Sequence, residues 1–161
     1  MEVIITNRQR AQRINARELK RLVLALLAEL KIERAELGIN LVGAGEMARV
    51  NQQFLQHAGS TDVITFDYSS AECGVRSAEW RLHGELYICV DDAVQQARQF
   101  GATWQSEVAR YAVHGVLHLL GYDDLRPDLR RAMKREENRL MRWLARSFSL
   151  AKLSRPGTMQ A

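Results

Sequence analysis

The stretch His114-Gly-Val-Leu-His118-Leu-Leu-Gly121-Tyr122-Asp123-Asp124 decides how the rest of the chain is arranged. From residue 111 to residue 120, almost every residue other than the two histidines is apolar. A helix with this composition has no polar face for water, so the pattern predicts a central helix buried in the protein. Thr103 or Ser106 can cap its start. Gly121 can end it, because a residue without Cβ adopts the left-handed conformation at little cost.

The two histidines of this helix are four residues apart. Side chains at that spacing lie on one helix face, with Cβ atoms about 5–6 Å apart, and two imidazole nitrogens can then bind one metal ion at about 2.0–2.1 Å. Beyond the turn, a carboxylate can complete a three-ligand site and leave a fourth position for water. The alternative is a pair of hydrogen-bonded core histidines, but two buried neutral rings would need several polar partners.

The same stretch, His114-Gly-x-Leu-His118-Leu-x-Gly121-Tyr122-Asp123, closely resembles the signature of the YbeY family, bacterial metal-dependent endoribonucleases of ribosomal RNA maturation. Two earlier motifs are also similar to motifs of that family: Ser60-Thr61-Asp62-Val63-Ile64-Thr65-Phe66 and Gly84-Glu85-Leu86-Tyr87-Ile88. Three motifs in the family's order are far more specific than an isolated pair of histidines. The resemblance implies a layered fold of helices on a mixed sheet and ribosomal RNA as the substrate.

Two positions depart from the family pattern. The third metal-binding histidine of the family falls at Asp124, and an arginine of the family falls at Leu55. Aspartate is an accepted zinc ligand, although its negative charge should make bound water less acidic. The change at Leu55 removes a cation that could have held phosphate.

One zinc ion held by His114, His118 and Asp124 is therefore the predicted cofactor, since two imidazoles and a carboxylate suit zinc and leave an open position. Its predicted role is to polarise a phosphate oxygen, to generate a nucleophile from water, or both. The His-Glu-x-x-His metalloproteases use the glutamate as general base, and Gly115 occupies that position here. Asp123 is a candidate acid or base, together with the two histidines as catalytic residues, or it simply builds the turn.

Composition describes an ordinary globular protein. Of the 161 residues, 47% are hydrophobic and 26% are charged, which predicts a single domain over residues 1–149 followed by a disordered tail over residues 150–161. The longest apolar run, residues 22–28, is too short to cross a membrane, and residues 1–10 hold no apolar signal segment. We therefore expect a cytoplasmic protein in which Cys73 and Cys89 are reduced thiols.

Positive charge is concentrated near the C-terminus. The formal net charge is +4, and residues 126–146 alone hold eight basic and three acidic residues. Arginines recur there at helical spacing and form a basic stripe, which is either a solvated helix face or a surface for RNA phosphates. Beside a candidate nuclease site the RNA interpretation is favoured, and the stripe consists of Arg131, Arg135, Arg139, Arg142 and Arg146, with the first four as the predicted RNA-binding residues.

Two acidic residues interrupt the apolar side of the same predicted helix. Glu136 lies near the middle of that side by helical angle, and Glu137 lies just beyond it. A carboxylate there either orients a ligand histidine or sits at the rim of the apolar side.

The predicted fold is α/β or α+β, with a mixed sheet of about four strands covered by helices and the metal site at the end of the buried central helix. Strands are predicted by alternation and β-branched content, and helices by apolar spacing and capping residues. Residues 69–80 show no period, and the strands on either side of them should pair antiparallel. In chain order, strands are expected at residues 3–6, 37–43, 63–66 and 81–90, and helices after Asn15, at residues 46–55, from Asp91 and Asp92 to Phe100, before Gly121 and after Pro127.

Two main hypotheses follow. The first is a zinc-dependent endoribonuclease, a hydrolase of phosphodiester bonds in ribosomal RNA processing and ribosome assembly, with ribosomal RNA or a ribosomal particle as partner. The alternative is a non-catalytic RNA- or ribosome-binding assembly factor with a structural or lost metal site, motivated by Leu55 and Asp124. Hydrolysis of small phosphate esters or peptides would leave the basic stripe unexplained.

Overall fold

The computed structural model describes residues 1–55, 62–69 and 81–156. Within them, four strands form one mixed sheet in the order β1-β2-β4-β3. β1 and β4 both run parallel to β2, and β3 runs antiparallel to β4. The mixed four-stranded sheet and the antiparallel pair were both predicted and are confirmed. The strands are β1 (Glu2–Asn7), β2 (Arg34–Val42), β3 (Val63–Asp67) and β4 (Arg81–Cys89).

Five α-helices accompany the sheet, which makes the fold α+β. Asn15 caps α1, since its side chain accepts a hydrogen bond from the Glu18 amide. Neither Asp91 nor Asp92 caps its own helix; Asp91 instead accepts a hydrogen bond of 2.7 Å from the Ala44 amide in the first turn of α2. The helices are α1 (Ala16–Glu29), α2 (Ala44–Val50), which continues as a π-helical turn (Asn51–Leu55), α3 (Val90–Phe100), α4 (Trp104–Leu119) and α5 (Pro127–Ser147).

The histidine helix, α4, lies in the middle of the core as predicted. It packs against β3, β4, α3 and α5, and eight of its sixteen residues are buried. A Cβ on Gly115 would approach Leu86 Cδ2 on β4 to 2.7 Å, so only glycine allows the helix to lie this close to the sheet. This contact fixes the distance of His114 and His118 from the sheet.

The chain after α5 differs from the prediction. Leu150–Leu153 forms a short 3-10 helix, and Leu153 is only 2% exposed. The Asn15 amide donates a hydrogen bond of 2.8 Å to the Leu153 carbonyl, and the Arg155 amide donates one to Arg13. A disordered tail from residue 150 is therefore wrong for residues 150–156, because an apolar side chain and paired backbone groups hold this segment on the core. Residues 157–161 lie outside the described residues.

No helix in the described part of the chain is both long enough and apolar enough to span a bilayer. Residues 70–80 of the segment without a period, which include Cys73, and the first two residues of the Ser60–Phe66 motif lie outside the described residues.

Candidate metal centre

Both ends of α4 have defined caps. Thr103, rather than Ser106, is the N-cap residue, and its hydroxyl accepts a hydrogen bond of 3.2 Å from the Ser106 amide. At the other end Gly121 has φ +100, in the left-handed region. The Gly121 amide donates to the His118 carbonyl and the Tyr122 amide donates to the Leu117 carbonyl, both at 3.0 Å. This pair of bonds is the Schellman arrangement, and it reverses the chain so that residues 122–124 return toward the histidines.

His114, His118 and Asp124 lie together at this end of α4, as predicted from the sequence. The two histidine Nε2 atoms are 3.1 Å apart. Asp124 Oδ2 lies 3.9 Å from His114 Nε2 and 3.7 Å from His118 Nε2. A point equidistant from the three atoms is about 2.1 Å from each, which is the length of a zinc–nitrogen or zinc–oxygen bond. Among the described residues, this group is the one whose ligand atoms could hold a metal ion.

The hydrogen bonds of the two imidazoles leave both Nε2 atoms as acceptors. His118 Nδ1 lies 3.1 Å from the Tyr122 carbonyl oxygen, and His114 Nδ1 lies 3.0 Å from Glu137 Oε2. A carbonyl and a carboxylate can only accept, so each Nδ1 carries the proton in the neutral ring. Two Nε2 lone pairs and a carboxylate oxygen then face one another with no donor between them. A cation at their centre would remove this repulsion.

Glu137 is the carboxylate that orients His114, whereas Glu136 pairs with Arg139 on the outside of α5. The Glu137 side chain is 5% exposed, and Arg110 Nη1 donates to its other oxygen at 2.8 Å. Burial alone would raise the pKa of Glu137, but hydrogen bonds from His114 and Arg110 outweigh it and lower that pKa to about 2. Burial likewise lowers the pKa of His114, but the hydrogen bond to Glu137 and the negative charges of Glu137, Asp62 and Asp124 together outweigh burial and raise that pKa. A more basic imidazole is the usual result of such a carboxylate partner.

The sequence analysis did not single out Arg110. The signal was available, since Arg110 is a cation one turn before His114 on the same face, at the point where the helix becomes apolar. A partly buried cation at this position needs a carboxylate partner, either Glu107 on its own helix or an acidic residue on a neighbouring helix.

Two other predicted sites have different surroundings from those expected. Asp123 Oδ1 accepts a hydrogen bond of 2.9 Å from the Leu125 amide, which is the contact of a turn-building residue.

The arginines of the basic stripe are exposed, but Arg139 is bonded to Glu136 and lies 3.7 Å from Glu29. Counting 100° per residue, the stripe is centred about 160° around α5 from Glu137.

A cavity of about 270 Å³ adjoins the cluster. His114 and Asp124 form part of its wall, and none of the stripe arginines does. The cations that line it come from α4 and from the other face of α5: Arg110, Arg130 and Lys134. The cavity beside the candidate metal centre is therefore lined by basic residues outside the stripe, and RNA binding by the stripe stays a prediction.

Comparisons with known proteins agree with these features. A model of the family named endoribonuclease YbeY matches residues 4–145. Among proteins of that name, one from Chlorobium phaeovibrioides is 33% identical over 82% of this chain and 84% of its own length, and one from Kineococcus radiotolerans is 36% identical over 87% and 80%. The solution structure of a Thermotoga maritima protein superposes with a TM-score of 0.60 at 22% identity over 99% of this chain and 100% of that one, which shows the same fold. With a family match over nine-tenths of its length and relatives at this identity, the chain belongs to the endoribonuclease YbeY family.

Proposed function

We propose that this protein is a zinc-dependent endoribonuclease that acts in ribosomal RNA maturation. The observation that carries the proposal is the geometry of the cluster, in which three ligand atoms surround a point about 2.1 Å from each and both Nδ1 atoms are held by acceptors. Family membership supports RNA as the substrate. Ribosomal RNA, free or within a ribosomal particle in the cytoplasm, is the proposed target.

Some residues of the site would bind the metal ion, and others hold those ligands in orientation. A bound zinc ion would polarise a phosphate oxygen and lower the pKa of water. His114 and His118 present Nε2 because Glu137 and the Tyr122 carbonyl hold their Nδ1 protons. Arg110 holds Glu137 ionised in the low-dielectric interior, so that the His114 ring keeps one orientation. The cavity beside the cluster leaves room for substrate on the side of α5.

The metal content of the purified protein, measured by elemental analysis, tests the site. We expect close to one zinc per chain in the parent and its loss in His114→Ala, His118→Ala and Asp124→Ala. His83→Ala is the matched control, because His83 lies on β4 with Glu36 as its neighbour and is outside the cluster. RNA cleavage should stop in His114→Ala and in the chelated parent, and return to the parent when zinc is restored.

The results also separate this proposal from the non-catalytic alternative. Asp124 in place of a histidine favours that alternative, since it lowers the positive charge of the site. A parent that takes up no zinc, or a His114→Ala protein that cleaves RNA as well as the parent, would contradict the proposal. Salt-sensitive RNA binding without metal-dependent turnover would support an assembly factor instead.

A further inference from the structure

Arg130, in the second turn of α5, is held next to the candidate metal centre. Its Nε donates a hydrogen bond of 3.1 Å to the backbone carbonyl of Asp124, the residue whose carboxylate joins the cluster. Its two terminal amino groups have no hydrogen bond or ion pair with any residue that the structure describes. The guanidinium is thus anchored at one nitrogen and has donors left over. Such a planar fork suits a phosphate group, which it can bind through two parallel hydrogen bonds.

Lys134 lies one helical turn further along, on the same face of α5 as Arg130. Its side chain is 60% exposed, and its Nζ is 3.6 Å from Glu137 Oε1, a distance beyond that of a hydrogen bond. Arg130 and Lys134 both line the cavity that contains His114 and Asp124. Two cations with unused donors therefore lie along one wall of the cavity.

Among the side chains that line the cavity, the two cations on α5 are the ones with donors available for an anion. Arg110 is already engaged by Glu137 and by Asn138 Oδ1 at 3.2 Å. Two more carboxylates line the cavity away from α5: Asp62, just before β3, and Glu107, which precedes His114 by seven residues, about 10 Å along α4. Tyr111 lines the cavity as well, and its hydroxyl is buried without a hydrogen-bond partner among the described residues. A ligand rich in acceptor oxygens would complement these groups.

We propose that Arg130 and Lys134 bind a backbone phosphate of the RNA next to the metal centre, and that the basic stripe does not. The proposal rests on the proposed function and names the residues that position its substrate. Arg131 and Arg135 immediately follow these two residues in the sequence, and they are exposed on a different face of the helix. The two pairs carry the same charge, and they differ in whether they face the metal centre.

The experiment compares Arg130→Gln/Lys134→Gln with the matched control Arg131→Gln/Arg135→Gln. The probe is a fluorescein-labelled single-stranded RNA of mixed sequence, bound in excess chelator so that it stays intact. We expect the first pair of substitutions to raise the Kd at least tenfold and the control less than twofold. The slope of log Kd against log salt should fall by about 0.7 in the first variant, since one phosphate contact on single-stranded RNA contributes about that much.

Two further measurements exclude an indirect effect. The zinc content and the thermal midpoint of Arg130→Gln/Lys134→Gln are measured because Arg130 is bonded to the Asp124 carbonyl and Lys134 lies 3.6 Å from Glu137. We expect both values to match the parent, since neither side chain is itself a ligand. With zinc restored, the KM for RNA cleavage should rise more than kcat falls, as expected when a substrate contact is lost.

The outcomes distinguish this inference from the proposed function. If both double variants lose the same RNA affinity, or the control loses more, the site at Arg130 and Lys134 is wrong, while cleavage by the parent leaves the endoribonuclease intact. A parent that neither binds nor cleaves RNA would overturn the proposed function and this inference with it.

Discussion

At the scale of single residues, the two glutamates of α5 separate what the sequence can predict from what it cannot. Spacing predicted that His114 and His118 share one helix face and that a carboxylate after the glycine turn could join them, while the choice of Asp124 came from the family resemblance. The choice between Glu136 and Glu137 depends on how α5 is rotated against α4. That rotation follows from the packing of two whole helices, so an angle within α5 could not decide it.

Substitution of the two glutamates should have different effects on metal affinity. Glu137→Gln removes the carboxylate that holds the Nδ1 proton of His114, and loss of such a partner typically lowers metal affinity 10- to 100-fold. Glu136→Gln is the matched control, since Glu136 is adjacent in sequence and its partner among the described residues is Arg139 on the outer face. Competition with a chromophoric chelator measures the zinc Kd of each variant. Equal affinities in the two variants would show that Glu137 does not act on His114.

At the scale of the elements, the sequence predicted where helices and strands lie along the chain. It predicted less well which elements lie next to one another in the fold. Alternation and apolar spacing depend on neighbours along the chain, so they mark each element. In the sheet order β1-β2-β4-β3, strand β4 lies in the interior between β2 and β3, and β3 lies at the edge. This order is set by contacts between residues that are distant in the sequence. Asp91 illustrates the same limit: it lies in the first turn of α3 as predicted but caps α2, which the tertiary fold brings beside it.

The close contact of α4 with β4 leads to a prediction about one glycine. Gly115→Ala would place a Cβ 2.7 Å from Leu86 Cδ2 in a fully buried site, and such overpacking typically costs about 1–3 kcal/mol of unfolding free energy. The helix should also shift from the sheet and move His114 and His118, so zinc affinity should fall as well. Urea unfolding and chelator competition measure the two effects.

Gly45→Ala is the control for that substitution. Gly45 lies in α2, where an added Cβ would meet only Arg49 Nη1 at 3.7 Å, an ordinary contact. Alanine is favoured over glycine in a helix, so this variant should be as stable as the parent or slightly more stable. A Gly115→Ala protein that resembles Gly45→Ala in both stability and zinc affinity would mean that Leu86 yields without moving the helix.

At the scale of the whole molecule, the distribution of charge is more informative than its total. The sequence located the excess of basic residues in the last helix, but it could not tell which face of that helix meets the catalytic side of the protein. The structure turns Arg130, Lys134 and Glu137 toward the candidate metal centre and leaves the basic stripe on another face. Long-range steering of RNA by the stripe and contact by Arg130 and Lys134 are separate effects, and only the contact requires proximity to the site.

The segment after α5 also joins distant parts of the chain, and removing it should destabilise the protein without affecting metal binding. Leu153 is buried in the main core, its carbonyl accepts the Asn15 amide ahead of α1, and Ser154 Oγ accepts a hydrogen bond of 2.7 Å from Gln105 in the first turn of α4. Deletion of residues 150–161 should lower the unfolding free energy by about 2–4 kcal/mol, since one buried leucine alone contributes about 1.5–3 kcal/mol.

Zinc affinity should stay within twofold of the parent in that truncated protein, because Gln105 precedes His114 by nine residues, about 13 Å along α4. A shorter truncation that removes only residues 157–161 keeps each of these contacts and serves as the control in urea unfolding. If deletion of residues 150–161 leaves the unfolding free energy unchanged, the packing of Leu153 contributes nothing. If it lowers zinc affinity tenfold, the segment and the metal centre are coupled through α4, and the separation of stability from metal binding fails.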